Sequence, residues 1–271
     1  MDAGEGTQIQ LTRYGISPQR IDAIFISHLH GDHYLGLMGL LFSMHLNRRQ
    51  SDLHLYAFRG LKEIILLQLR YSKSALNYKI IFHELRVNTR EIIFDSETVT
   101  VETIPLLHKI TCSGFLFREK PKQRRINKEK LPPGIFLQHI AMLKQGLDIH
   151  DQSGELLYKN IDYTLPPRPS LSYAYCSDTA YFEEICVQIY GVDLLYHEAT
   201  FLTEDSEKAT ETKHSTAEQA ALIAQKSAVK KLIIGHFSAR YHSPDVLLTE
   251  ARQTFRETHL AIEGETFNIE E

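Results

Sequence analysis

The chain has 271 residues, with 30 Lys plus Arg against 34 Asp plus Glu and a formal net charge of −4. Hydrophobic residues at 43% and charged residues at 24% exclude a disordered or collagen-like chain and allow a sizeable core. No apolar run is long enough to cross a bilayer, so no membrane contact is expected, and three irregularly spaced Cys make no disulfide framework, which points to a reducing cytoplasm.

The opening Met1-Asp2-Ala3-Gly4-Glu5-Gly6-Thr7 has neither the basic nor the apolar region of a signal peptide. A small-residue turn of this kind normally follows a strand. Residues 22–27 read as a short buried strand, and 31–47 are apolar at helical spacing. Strands are expected over 53–57, 80–84, 98–106 and 114–117, with a helix over 60–69. The composition then changes. Residues 118–130 hold seven basic and two acidic residues, a net of +5 that leaves −9 for the rest of the chain. Pro132-Pro133-Gly134, an amphipathic piece over 135–143, a turn over 151–154 and Pro166-Pro167-Arg168-Pro169 follow. This pattern predicts a flexible arm over 118–169, inserted between core segments 1–117 and 170–271. Beyond it, strands over 172–176, 193–197 and 231–235 alternate with helices over 180–189, 216–228 and 244–254. That alternation predicts an α/β layered core.

Fourteen His are present, and histidine is the commonest metal ligand. The strongest feature is Ser27-His28-Leu29-His30-Gly31-Asp32-His33, placed just past a strand and at the opening of a helix. On an extended strand end, His28 and His30 point to the same side. The turn at Gly31 then brings Asp32 and His33 to the same pocket. Two offset pairs of ligands suit two adjacent metals. The plainer alternative is a polar loop with surface histidines. Downstream, His108, Asp178 and His236 each follow an expected strand. Taken singly, a His in such a place is an ordinary hydrogen-bonded residue, and Asp178 is a helix N-cap.

The His-x-His-x-Asp-His pattern resembles the metal signature of the metallo-β-lactamase superfamily, and order and context then bring His108, Asp178 and His236 into the same set. A finer resemblance, running nearly end to end, is to ribonuclease Z, the tRNA 3′-processing endonuclease. Asp2 to Gln8, His108 with Gly114-Phe115, Cys176-Ser177-Asp178-Thr179, His197-Glu198-Ala199-Thr200, His214-Ser215-Thr216 and His236-Phe237-Ser238-Ala239-Arg240-Tyr241 look like successive motifs of that family. The resemblance implies an αββα sandwich with an inserted basic arm, a cytoplasmic homodimer and two Zn²⁺ per subunit. One zinc would take His28, His30, His108 and Asp178. The other would take Asp32, His33, Asp178 and His236, with Asp178 bridging. Imidazole and carboxylate suit zinc, and two such metals clamp a phosphodiester and activate the attacking water.

The same resemblance assigns precursor tRNA as substrate, cut to leave a 3′-hydroxyl on the tRNA and a 5′-phosphate on the trailer. Asp32 is the expected general base, His214 the group that stabilises or protonates the leaving oxygen, and Glu198 its orienting carboxylate. Ser215 is expected to cap the following helix while His214 turns into the site. Thr200, Ser238 and Arg240 are possible phosphate contacts, and His197 a supporting residue. The arm cations Arg118, Lys120, Lys122, Arg124, Arg125, Lys128 and Lys130 would neutralise tRNA phosphates without reading sequence. A solvated charged face is the simpler reading of such a run.

Two other readings compete. One is a phosphodiesterase of the same fold acting on small esters. The other is a non-catalytic RNA-binding relative. Family members carry two further strands and a Gly-Thr-Gly-like turn ahead of the Asp2 segment. A chain without them is expected to expose a sheet edge and to be less active than an intact one.

Overall fold

The computed structural model describes residues 1–269, so positions 270 and 271 of the expected core segment lie outside the described residues. In chain order the elements are α1 (Thr7–Arg13), β1 (Ala23–Phe25), α2 (Gly31–Tyr34), α3 (Leu37–Leu46), β2 (Leu53–Ala57), α4 (Leu61–Tyr71), β3 (Ile80–Glu84), β4 (Ile92–Asp95), β5 (Val99–Leu106) and β6 (Cys112–Glu119). The inserted segment carries β7 (Arg125–Ile126), α5 (Leu137–Lys144), β8 (Ile149–His150), β9 (Leu156–Tyr158), α6 (Asn160–Tyr163) and β10 (Thr164–Leu165). The core resumes with β11 (Ser172–Cys176), α7 (Ile185–Gln188), β12 (Leu194–Glu198), α8 (Ser206–Thr212), α9 (Ala217–Lys226), β13 (Lys231–Gly235), α10 (Asp245–Thr254) and β14 (Thr258–Leu260).

Two sheets result. The smaller has the order β1-β2-β3 and is parallel. The larger runs β14-β13-β12-β11-β6-β5-β4, parallel from β14 to β11 and antiparallel beyond. Three apolar layers hold them together. Leu37, Leu40, Leu41 and Met44 of α3 and Leu61 and Ile65 of α4 pack on Ile24, Leu53 and Leu55 of the small sheet. Ala217, Ala220, Ala221 and Ala224 of α9, with Leu247 and Ala251 of α10, pack on Ala174, Leu195, Leu232 and Ile234 of the large one. The alanine face of α9 lets that helix approach its sheet closely. Between the sheets lies an aromatic layer of Phe25, Tyr56, Phe58 and Phe115, in which Phe25 stacks on Tyr56 at 4.6 Å and meets Phe117 edge-on at 5.6 Å. The architecture is the expected αββα sandwich.

Several boundaries differ from the sequence expectation. The helix over 31–47 breaks at Gly36, because the Ala3-Gly4 backbone docks there. Gly36 N–H donates to the Ala3 carbonyl at 2.9 Å, and a Cβ on Gly36 would lie 1.7 Å from the Gly4 oxygen. The helix over 180–189 shortens to α7, since residues 179–180 are held elsewhere: Ala180 N–H donates to the Leu107 carbonyl at 2.8 Å. Thr216, not Ser215, caps α9, exchanging hydrogen bonds with Gln219 in a capping box. Ser215 is buried and donates its hydroxyl to the Thr179 carbonyl at 2.7 Å. The strand expected over 114–117 extends to Glu119, so Arg118 lies on β6. The inserted segment forms two short antiparallel pairs and two helices around buried Leu143, Ile149 and Asn160.

The start of the large sheet rests on one buried carboxylate. Asp193 accepts from Ser172 N–H and Ser172 Oγ, each at 2.7 Å, and pairs with Lys230 at 2.7 Å. Burial works to raise its pKa, but Lys230 and Ser172 prevail and hold it below the usual carboxylate value. A depressed carboxylate stabilises the fold above its unfolded pKa and loses that contribution as pH falls through the folded one. We therefore expect Asp193→Asn to cost about 1.5–3 kcal/mol at pH 7. In denaturant titrations the gap to the parent protein should close below about pH 4.

Candidate metal centre

The metal-capable side chains stand at the C-terminal edges of the strands. His28 and His30 follow β1, and Asp32 and His33 sit in α2. His108 follows β5, Asp178 follows β11, and His236 follows β13. His236 has φ 60°, a left-handed conformation that a residue with a Cβ adopts at a cost of about 1–2 kcal/mol.

These seven residues converge as two groups around Asp178. On one side, His30 Nδ1 lies 3.1 Å from both His28 Nε2 and His108 Nε2, and Asp178 Oδ2 lies 3.5 Å from His28 Nε2 and 3.8 Å from His108 Nε2. On the other, Asp178 Oδ1 lies 3.4 Å from His33 Nε2 and 3.4 Å from His236 Nε2, and Asp32 Oδ2 lies 3.4 Å from each of the same nitrogens. Ligand atoms held at about 2.0–2.1 Å on a tetrahedral ion are about 3.3 Å apart, the scale seen in both groups.

Outer hydrogen bonds fix which nitrogen of each ring faces inward. His108 Nδ1 lies 2.8 Å from the Lys213 carbonyl, which can only accept, so Nδ1 carries the proton and Nε2 a lone pair. His33 Nδ1 donates to Asp2 Oδ2 at 2.8 Å. Ser27 Oγ donates to Asp2 Oδ2 at 2.8 Å and so accepts from His28 Nδ1 at 2.9 Å. Thr200 Oγ1 donates to Glu198 Oε2 at 2.6 Å and so accepts from His236 Nδ1 at 2.8 Å. Four Nε2 lone pairs therefore point into the cluster. His33 Nε2 and Asp178 Oδ1 are buried without a hydrogen-bond partner. Buried lone pairs facing one another at such distances repel unless a cation lies between them. The donor set fits two zinc-like ions, with Asp178 presenting one oxygen to each.

The titration of these groups follows the same geometry. Asp32 is lowered to about 2, chiefly by the His236 ring beside its carboxylate, an interaction that puts a proton on Nε2 when no cation lies there. Burial pushes Asp178 up, but His33 and His236 hold it well below the usual carboxylate range. Burial pushes His28 down to about 3. Burial also acts to lower His33, yet with no cation between them Asp178 and Asp2 outweigh it and raise that ring to about 10, and an ion at Nε2 would take the place of that proton.

His214 and Glu198 lie beside the cluster. Glu198 is fully buried and accepts from Thr179 N–H, Thr200 N–H, Thr200 Oγ1 and His214 Nδ1, the last at 2.7 Å. The His214 ring stacks on His236 with centroids 5.3 Å apart and meets His108 edge-on at 4.9 Å. His197 is buried in β12 and donates Nδ1 to the Glu198 carbonyl at 2.7 Å. Thr200 is occupied between Glu198 and His236. Arg240 pairs with Asp205 and lies over the Phe201 ring, so its charge is met within the protein.

The sequence reading assigned no role to Asp2. Besides His33 and Ser27 Oγ, its carboxylate accepts from Ser27 N–H at 2.7 Å and Tyr175 Oη at 2.8 Å. It thus orients two histidines of the cluster at once. Its only sequence signal is its place in the Gly-rich opening, whose Gly4 lies so close to α2 that a Cβ would sit 2.3 Å from the Asp32 main-chain carbonyl oxygen.

The expected arm cations are not brought to this cluster as a group. Arg118 donates to the Gln188 carbonyl, Arg124 to Thr164 Oγ1 and Arg125 to the Pro166 carbonyl. Lys120 pairs with Asp95 and Lys122 with Glu119. Lys128 and Lys130 are exposed.

An αββα sandwich with metal-capable side chains at the strand ends defines a metallo-β-lactamase-fold protein. YhfI from Bacillus subtilis, a protein of that fold, is 18% identical and superposes with a TM-score of 0.64 over 97% of this chain and 83% of its own. The chain belongs to the ribonuclease Z family: it is 46% identical to ribonuclease Z of Cytophaga hutchinsonii over 99% of this chain and 86% of that protein. It is 44% identical to ribonuclease Z of Bacteroides thetaiotaomicron over 99% and 85%. The short form of human tRNase Z superposes with a TM-score of 0.70 at 25% identity, covering 99% of this chain and 87% of that one. Residues 1–124 also match the family described as anti-Pycsar protein Apyc1.

Proposed function

We propose that this chain is a zinc-dependent endoribonuclease that removes the 3′ trailer from precursor tRNA, leaving a 3′-hydroxyl on the tRNA and a 5′-phosphate on the trailer. The observation that carries the chemistry is Asp178, whose two oxygens each face a separate set of inward lone pairs. The near end-to-end similarity to ribonuclease Z carries the substrate. In this reading the enzyme works in the cytoplasm as a homodimer with two Zn²⁺ per subunit, as the family resemblance implies. His28, His30, His108 and Asp178 hold one ion, and Asp32, His33, His236 and Asp178 the other. Bound there, divalent ions supply Lewis acidity toward a phosphodiester and lower the pKa of water.

The chain's own groups divide the remaining work. Asp32 is ionised at neutral pH, and its side chain is 64% exposed, so it has an oxygen free to accept a proton from the attacking water. His214 has Nδ1 tied to Glu198, which leaves Nε2 to stabilise or protonate the departing oxygen. Lys128 and Lys130, with the other arm cations at closer quarters, bind the tRNA backbone.

The match to the Apyc1 family covers only the first half of the chain. The boxes around Glu198 and His214 lie outside it and favour the tRNA reading over a small-ester phosphodiesterase. The test is cleavage of a 3′-extended precursor tRNA alongside bis-p-nitrophenyl phosphate, with and without chelator. Chelator-sensitive cutting after the discriminator base is expected. Hydrolysis of the small ester alone would select the phosphodiesterase reading, and binding without any cleavage the non-catalytic one.

A further inference from the structure

A cleft of about 320 Å³ opens across the C-terminal ends of the small parallel sheet, lined in part by Leu29 and Ile110, which neighbour His28, His30 and His108 along the chain. Such edges are where α/β sheets take ligands. Its walls come from four places. Leu29 lies between the metal-facing His28 and His30. Phe58 and Arg59 follow β2. Leu85 and Val87 follow β3, and Ile110 stands in the turn two residues past His108. The walls are mainly apolar, yet Val87 is 58% exposed and Ile110 38% exposed. Gly60, with φ 106°, brings the loop within contact of Leu29, since a Cβ there would lie 3.5 Å from Leu29 Cδ1.

The rim adds charge to this apolar floor. Arg59 is exposed, and no hydrogen bond or ion pair engages its guanidinium among the described residues. Lys109, in the same turn as Ile110, is also exposed. Glu84, the last residue of β3, also lines the cleft and is exposed, able to accept from an amino group. The volume is that of a small-molecule site, far short of a duplex groove. An apolar slot with an unpaired guanidinium at its mouth matches one nucleotide: a flat base against Leu29, Val87 and Ile110, and a phosphate on Arg59.

We infer that this cleft is the subsite for a nucleotide directly flanking the scissile phosphate, held by Arg59 through its phosphate and by Leu29, Val87 and Ile110 through its base. The inference rests on the ribonuclease reading of the adjacent centre. It explains why an arginine without a partner sits where the chain wraps past the metal-facing histidines. It also gives the site a grip on single-stranded RNA that is independent of the arm.

The test uses the whole zinc-loaded protein, the variants Arg59→Ala and Val87→Ser, and precursor tRNAs carrying a single abasic residue on either side of the cleavage point. Arg59→Ala should lower kcat/KM on precursor tRNA about tenfold, at least fivefold more than it lowers turnover of bis-p-nitrophenyl phosphate. It should also reduce the slope of log Kd against log salt by about one, the signature of a lost phosphate contact. Val87→Ser should weaken cleavage of the intact substrate. That penalty should vanish on one of the two abasic substrates, which identifies the nucleotide held. Equal losses on RNA and small ester with an unchanged salt slope, or a Val87→Ser penalty that persists on both abasic substrates, would overturn the inference. If the parent protein does not cut precursor tRNA at all, the ribonuclease reading fails instead, and the salt slope of RNA binding still tests Arg59.

Discussion

Asp178→Asn should lose its metal and lower cleavage by about 10³-fold or more, at least ~4 kcal/mol of barrier. The substitution keeps the volume of the side chain, so the fold should survive. It removes the charge and replaces one oxygen by an amide nitrogen that cannot serve as a ligand. Only one of the two groups then keeps its bridging oxygen. Because Oδ1 faces His33 and His236 while Oδ2 faces His28 and His108, the loss reaches both sides of the cluster. Metal analysis by mass spectrometry, with circular dichroism as a fold control, would read this directly. Two ions retained at parental affinity would mean that the carboxylate does not bridge.

Asp2→Asn should weaken metal binding by about 10- to 100-fold, the usual scale for a residue that orients metal ligands from behind. The Asp2 carboxylate holds His33 directly and His28 through Ser27, and Tyr175 and Ser27 N–H complete its shell. His33, Ser27 Oγ and Tyr175 share Oδ2 while Ser27 N–H uses Oδ1, so an amide must set its NH2 either against Ser27 N–H or toward His33, and in both orientations the negative charge that holds the imidazole is lost. Competition against a calibrated zinc chelator measures the effect, and excess zinc should restore most of the turnover. A purely structural role would instead lower the unfolding midpoint without rescue by zinc.

The fold's layers were legible because their cause is local. The strands Leu53–Ala57, Ile80–Glu84, Ser172–Cys176 and Lys231–Gly235 match their sequence-predicted spans, since each is a short apolar run with clear breakers. The helices α1 and α8 were not anticipated. Helix α1 buries no residue and α8 only Ala209, so neither carries an apolar stripe to read. The short strands β4 and β14 sit at the two edges of the large sheet, where one missing neighbour removes the alternation that marks a central strand.

The metal centre shows the same division. His28, His30, Asp32 and His33 announce themselves within one turn of chain. His108, Asp178 and His236 become legible only by their order and by family resemblance, because nothing local separates a ligand from a capping or surface residue. Asp2 acts through contacts with residues 25, 31 and 173 positions away, a relation that no local pattern encodes. The arm cations illustrate the converse. Their run looks like an open basic surface, but the partners of Lys120 and Arg118 stand on strand β4 and at the last residue of α7, respectively, and meet them only on folding.

The most direct test is a zinc titration of the metal-stripped protein, followed by cleavage of a 3′-extended precursor tRNA. The two ligand groups around Asp178 predict little activity at one equivalent per chain, full activity on loading the second, and loss on adding chelator. Full cleavage in the presence of chelator, or saturation of activity at one bound ion per chain, would contradict the two-metal centre.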